Sequence, residues 1–127
     1  MKLKQYFDSK NGLGVLSTAA RDGRVNAAVY SRPQVIDEEK IAFITADRLT
    51  RANLLNNPYA VFLFKEDGPG YKGKRLYLKK TGESEDQVLI DNMRRSCHGK
   101  SCDEGRDKKF LVYFDIEKDL PLIVKKD

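Results

Sequence analysis

The segment Ile41-Ala-Phe-Ile-Thr-Ala-Asp-Arg-Leu-Thr-Arg-Ala-Asn-Leu-Leu-Asn-Asn-Pro-Tyr-Ala-Val-Phe-Leu-Phe64 holds two apolar runs, Ile41 to Ile44 and Tyr59 to Phe64. Apolar runs of this length bounded by turn residues read as buried strands. Between them lies a short helix that ends near Asn57-Pro58, since proline disfavours helical backbone in the residue before it. Two arginines, Arg48 and Arg51, stand where this helix begins. A helix N-terminus carries partial positive charge and unpaired N–H donors, so cations there are disfavoured by a few tenths to about 1 kcal/mol. A bound anion reverses that sign. The hydroxyls of Thr45 and Thr50, the free helical N–H groups and two guanidiniums together describe a phosphate cradle. The same residues also fit an exposed basic turn with Thr50 as an ordinary N-cap.

On either side of this unit the chain reads mostly as strands. Gly14 to Ala20 and Val25 to Arg32 flank Asp22-Gly23, a strong hairpin signal. Asp37-Glu-Glu39 makes a second polar turn leading into a strand from Lys40 to Ala46. Tyr59 to Lys65 is followed by Glu66-Asp-Gly-Pro-Gly-Tyr-Lys-Gly73, whose three glycines and proline exclude regular structure. Lys74 to Gly82 alternates as a half-buried strand should, and Phe110 to Ile116 alternates cleanly. Leu120 to Val124 adds a short edge segment. Helices are expected at Met1 to Lys10, packing Leu3, Tyr6 and Phe7, and at Glu83 to Arg95, with Ser84 as N-cap and Val88, Leu89 and Met93 at helical spacing. Six strands, tight turns and short helices predict a mainly β fold, a small six-stranded antiparallel barrel.

With 127 residues the chain is one domain by size, residues 1–127, without room for a separate substrate domain. The longest apolar run, Tyr59 to Phe64, is far shorter than the roughly 20 residues that span a bilayer. The start Met1-Lys-Leu-Lys-Gln5 lacks the apolar core of a signal peptide. A cytoplasmic protein with no membrane partner is expected. The net charge of +5 permits a nucleic-acid partner. Its basic residues are nonetheless spread along the chain among 19 acidic ones, with no nucleic-acid-binding motif, so nucleic acid is not the expected ligand.

Gly14-Val-Leu-Ser-Thr-Ala-Ala20, the turn Arg21-Asp-Gly-Arg24, Val25-Asn-Ala-Ala-Val-Tyr-Ser-Arg32 and the strand-Thr-helix-Asn-Pro-strand unit follow one another along the chain. This succession resembles the pyridoxamine 5'-phosphate oxidase-like, FMN-binding split-barrel family. The resemblance implies a split barrel with FMN as cofactor, a homodimer with the flavin near the subunit interface, and a small flavin-dependent oxidoreductase or electron-transfer module. In that family the strand matching Val25 to Arg32 lies under the flavin ring, which puts Ala28, Tyr30 and Arg32 closest to it. A shift of one residue would present Ala27, Val29 and Ser31 instead. Thr45 and Ala46 stand where the family meets the phosphate, with Thr50 and either Arg48 or Arg51 beside them in place of the family's lysine or arginine. The loop Gly68 to Gly73 either covers the ring, with Tyr71 and Lys72 near it, or is an ordinary hairpin loop.

The chain departs from genuine pyridoxamine-phosphate oxidases, which carry a C-terminal arginine, histidine and tryptophan pattern for the substrate phosphate. Here there is no tryptophan, and His98 is the single histidine. Vitamin B6 oxidation is therefore not expected. The substrate and the electron donor are not legible. A non-catalytic ligand-binding or regulatory protein on the same barrel, holding haem or no cofactor, is the alternative.

The remaining cluster is Cys97-His98-Gly-Lys-Ser-Cys102, which contains both cysteines. Its spacing matches no common zinc pattern, and its order is wrong for covalent haem attachment. Two free thiols in a solvated loop are the expectation, with a redox pair or a metal site as the alternatives. Gly12-Leu-Gly14 lacks the third glycine of a dinucleotide fingerprint.

Overall fold

The computed structural model describes residues 2–94 and 108–123. Along the chain run α1 (Leu3–Ser9), β1 (Gly12–Ala19), β2 (Val25–Val29), β3 (Gln34–Asp37), β4 (Lys40–Ala46), α2 (Leu49–Asn56), β5 (Tyr59–Glu66), β6 (Gly73–Ser84), α3 (Gln87–Arg94) and β7 (Lys109–Pro121). The strands form one antiparallel sheet in the order β2-β1-β5-β6-β7-β4-β3. That is seven strands where the sequence suggests six. The additional strand is β3, whose Gln34-Val-Ile-Asp37 is too short to show a period and is defined by its pairing with β4. Leu120 and Pro121 belong to the end of β7 and pair with β6, so they form no separate edge segment.

Alternation along the strands turns one face inward. Leu16 of β1, Ile41 and Phe43 of β4, Ala60, Phe62 and Phe64 of β5, Leu76 and Leu78 of β6, and Val112 and Phe114 of β7 share one core. The sheet curls about that core far enough for Tyr30, just beyond edge strand β2, to reach Thr45 on β4 near the opposite edge. Among the described residues no ladder joins β2 to β3, and the barrel is split there. Register shifts in the β6–β7 ladder, at Tyr77/Leu78 and Lys80/Gly82, are bulges of the kind that bend long strands around a core. β4 is buried on both faces, because Ala42 packs with Ile90 and Leu111 in a second cluster beneath α3. This explains why its Ile41-Ala-Phe-Ile44 is apolar throughout rather than alternating.

Two turns carry the first hairpin and the α3 entry. Gly23 takes φ 92°, which glycine adopts without a Cβ penalty. The N–H groups of Val88 and Leu89 donate to Asp86 Oδ1 at 3.1 and 3.2 Å, so Asp86 caps α3. Ser84 instead ends β6 and accepts from the Asp86 N–H. The expected cap lies two residues further on because β6 is longer than its alternation suggests.

α1 closes one end of the barrel. Leu3, Tyr6 and Phe7 are buried, and the Phe7 ring stands 5.3 Å from that of Phe64. Two turns of isolated helix would be marginal in water. Here both ends are held from outside: Leu3 N–H donates to both carboxylate oxygens of Glu38 at 3.0 and 2.9 Å. At the other end Arg32 Nη1 donates to the carbonyls of Phe7 and Lys10 at 2.6 and 2.9 Å. A carboxylate at the N-terminus and a guanidinium at the C-terminus are the favourable placements for the helix dipole. The Tyr6 hydroxyl donates to Glu66 at 2.6 Å, and burial, reinforced by that carboxylate, raises its pKa well above the ordinary phenol value.

Candidate functional site

A cavity of about 660 Å³ opens where the barrel is split. Its volume is in the range of small-molecule sites. One wall is β2 and its continuation, contributing Asn26, Ala28, Tyr30 and Arg32; the other is β4 and the start of α2, contributing Ala42 to Ala46, Arg48, Leu49 and Thr50. Of the residues singled out from the sequence, Ala28, Tyr30, Arg32, Thr45, Ala46, Arg48 and Thr50 line this cavity together. The even-numbered side of the strand faces in, although Val29 and Ser31 also reach the lining near the strand end.

Arg51 is placed differently. Its Nε and Nη2 donate to Glu83 Oε1 and Oε2 at 2.8 and 3.1 Å, and its Nη1 donates to Asp47 at 3.0 Å. The guanidinium carbon lies 3.7 Å from the centre of the Phe110 ring. Arg51 does not line the cavity. The hydrogen bond from Arg51 holds the Glu83 carboxyl below the usual carboxylate range against the opposing effect of burial, and Glu83 in turn raises the Arg51 pKa. Arg51 thus fastens α2 to β6 and β7. Arg48 is outside the helix, with extended backbone (φ −131°, ψ −168°), so the shared face of helical residues three apart does not apply to it and Arg51.

Arg48 is the N-cap residue of α2 and makes no side-chain cap hydrogen bond. The expectation of Thr50 as a cap is corrected: Thr50 lies within the first turn, buried against the cavity. The first helical N–H groups, from Leu49 to Arg51, have no acceptor within the helix. Asn53 Nδ2 donates to Thr18 at 3.1 Å, a buried bond that seats α2 over β1 where Thr18 pairs with Asn26 of β2. At the helix N-terminus Arg48, Leu49 and Thr50 line the cavity.

Across the middle, the hydroxyls of Tyr30 and Thr45 are 2.6 Å apart. Thr45 Oγ1 also donates to its neighbour's carbonyl, Ala46 O, at 3.1 Å. A hydroxyl carries one proton, so Tyr30 is the donor to Thr45. The Tyr30 ring stands edge-on to Phe43, 5.9 Å between centres and 88° between planes. Below this lies Gly14: a Cβ there would come within 2.6 Å of both the Phe62 ring and the Tyr30 carbonyl. Only glycine permits this approach of β1 to the chain leaving β2.

Sequence reading misses Asn26, Phe43, Asp67 and Lys109 on the lining. Asn26 shares strand parity with Ala28 and Tyr30 and was in that sense legible. Lys109 comes to the site only because β7 pairs Lys109 with Ala46, a register that the separate segments do not encode. With Arg32, Arg48 and Lys109 against Asp67, the lining carries more positive than negative side chains. Cys97, His98 and Cys102 lie outside the described residues. Among the described residues no cluster of three or more His, Cys, Asp or Glu could hold a metal ion, and no helix is long and apolar enough to cross a membrane.

No protein-family model matches the chain, and no curated protein does. Solved structures do resemble it. An FMN-binding protein from Syntrophomonas wolfei superposes with a TM-score of 0.78 at 23% identity, over 98% of this chain and 86% of that one. HupZ of Group A Streptococcus gives 0.72 at 17% identity, covering 96% and 94% of the two chains. A candidate pyridoxamine 5'-phosphate oxidase from Lactobacillus delbrueckii gives 0.68 at 16% identity, covering 94% and 93%. The chain adopts the split-barrel fold of pyridoxamine 5'-phosphate oxidase-like proteins.

Proposed function

We propose that this chain binds FMN in the cavity of its split barrel and serves as a small flavin-dependent oxidoreductase or electron-transfer module. The observation that carries this reading is the α2 N-terminus: a helix start without a side-chain cap, opening on a cavity, with Arg48 as its N-cap residue and Thr45 and Thr50 beside it. Free N–H donors, hydroxyls and a guanidinium are the donor set that a phosphate monoester requires. Ala28, Tyr30, Phe43 and Ile44 supply a largely apolar surface against which a flat ring can lie. Arg48 takes the phosphate role in this reading, since it lines the cavity and Arg51 does not. The donor set fits the cofactor.

Bound flavin supplies one- and two-electron chemistry, and the protein's part is to bind it, orient it and exclude water from its buried face. Tyr30 and Phe43 perform the last two tasks by filling the floor between the walls. We also propose that the chain works as a homodimer with the flavin near the subunit interface. Edge strand β2 turns Val25 and Val29 outward at 83% and 71% exposure, and Leu13 on neighbouring β1 is half exposed. An apolar edge strand of this kind is a surface that proteins ordinarily cover.

Titration of FMN fluorescence with the purified chain tests the assignment. Quenching to about one FMN per subunit, with riboflavin bound at least about tenfold more weakly, is expected from a site that reads the phosphate. Equal affinity for riboflavin removes the phosphate assignment, and absence of flavin binding with a Soret band on haem addition overturns the reading in favour of a haem protein.

A further inference from the structure

Among the residues lining the cavity is a second arginine whose hydrogen bonds are incomplete. Arg32 uses Nη1 alone on protein acceptors, the carbonyls of Phe7 and Lys10 at 2.6 and 2.9 Å. Among the described residues no carboxylate pairs with it, and its Nε and Nη2 have no acceptor. These two atoms form the side-on fork that grips a carboxylate through parallel hydrogen bonds. The protein displays that use of the fork elsewhere: Arg51 meets Glu83 with the same pair, Nε to Oε1 at 2.8 Å and Nη2 to Oε2 at 3.1 Å. The two carbonyls on Nη1 fix the Arg32 guanidinium in place, so little side-chain freedom is lost when a ligand arrives.

We propose that the Nε–Nη2 edge of Arg32 is a subsite for the carboxylate of a small organic acid, which is the second ligand of this cavity. Arg32 and the residues at the α2 N-terminus, Arg48, Leu49 and Thr50, line the same cavity. A cofactor phosphate held at Arg48 leaves the Arg32 fork for a different anion. The neutral amides of Asn11 and Gln34 line the same cavity, and the one acid on the lining, Asp67, is exposed. The role of this acid as substrate rests on the flavin reading above; its binding at Arg32 does not.

Benzoate is a suitable probe, with benzyl alcohol as its uncharged counterpart. The protein with FMN bound is titrated with each, following the flavin absorption spectrum and the Arg32 Nε–H resonance of the ¹⁵N-labelled chain. Benzoate is expected to move both saturably, and benzyl alcohol neither. Arg32→Lys keeps the charge but loses the fork, so it is expected to weaken benzoate by about tenfold or more, and by much more than it weakens FMN. An unmoved Arg32 resonance, undiminished benzoate binding in Arg32→Lys, or an equal loss of FMN and benzoate in that variant each overturns the proposal. If the protein takes no FMN, the flavin reading fails by itself, and the benzoate titration of the flavin-free chain by the same resonance still decides the Arg32 subsite.

Discussion

Tyr30 donates its hydroxyl proton to Thr45 across 2.6 Å, and this one bond joins the chain leaving one edge strand to the strand next to the other edge. It spans the split of the barrel where the cavity opens. Tyr30→Phe and Thr45→Val each remove it and are expected to cost about 1 kcal/mol of stability. Because the two groups bond to each other, the double variant should cost less than the sum of the singles. Urea unfolding of all four proteins measures the coupling; strict additivity would mean that the bond contributes nothing to holding the walls together.

Arg48→Ala removes the N-cap guanidinium without touching the Arg51–Glu83 pair. It is expected to lower FMN affinity about tenfold or more and to leave riboflavin affinity nearly unchanged, since only FMN carries the phosphate. Fluorescence titration with both ligands separates this from a general loss of the site. A parallel loss of both affinities would place Arg48 on the ring rather than the phosphate.

Arg51→Met should act on stability instead. The side chains of Arg51 and Glu83 are 15% and 19% exposed, and removing the guanidinium leaves a mostly buried carboxylate without its partner. A loss of about 1.5 to 3 kcal/mol is expected from the broken charged hydrogen bonds. The check is a denaturation midpoint that falls while FMN affinity of the folded fraction is retained.

The same pair sets an acid dependence. Glu83 has a folded-state pKa below its ordinary 4.5, so its contribution to stability is present above that pH and is lost as the pH falls through the folded-state value. Unfolding free energies measured from pH 6 downward should decline more steeply in the native protein than in Glu83→Gln. Parallel curves would show that other carboxylates govern the acid limb.

Gly14→Ala is expected to destabilise the protein by about 1 to 3 kcal/mol, because the added methyl meets the Phe62 ring and the Tyr30 carbonyl at 2.6 Å in a packed interior. Thermal unfolding reports the loss. A neutral outcome would mean that β1 moves away from Tyr30 at little cost, and then the cavity floor is softer than its packing indicates.

Much of this arrangement was legible because local rules applied without conflict. The Asp22-Gly23 hairpin, the amphipathic α1 and the strand-helix-strand unit around Thr45 each follow from a few neighbouring residues. The parity of Ala28, Tyr30 and Arg32 toward the cavity is set by the same period-two rule. β3 was not legible, since four residues without alternation become a strand only when β4 lies beside them. Nor was the choice between Arg48 and Arg51, because Glu83 lies 32 residues along the chain from Arg51 and reaches it only through the β6–β7 ladder. Local chemistry picked out residues that share the cavity lining, and long-range register decided which of the two cations faces it.

The clasp on α1 has a further consequence for the order in which the molecule is made. α1 leaves the ribosome ahead of its partners Arg32, Glu38, Phe64 and Glu66, which emerge up to 60 residues later than Tyr6. A seven-residue helix has little stability of its own before those partners arrive. Loop closure must precede the contacts that reward it, so α1 is made before the strands it closes and docks after them, as a stopper pressed into a vessel already shaped.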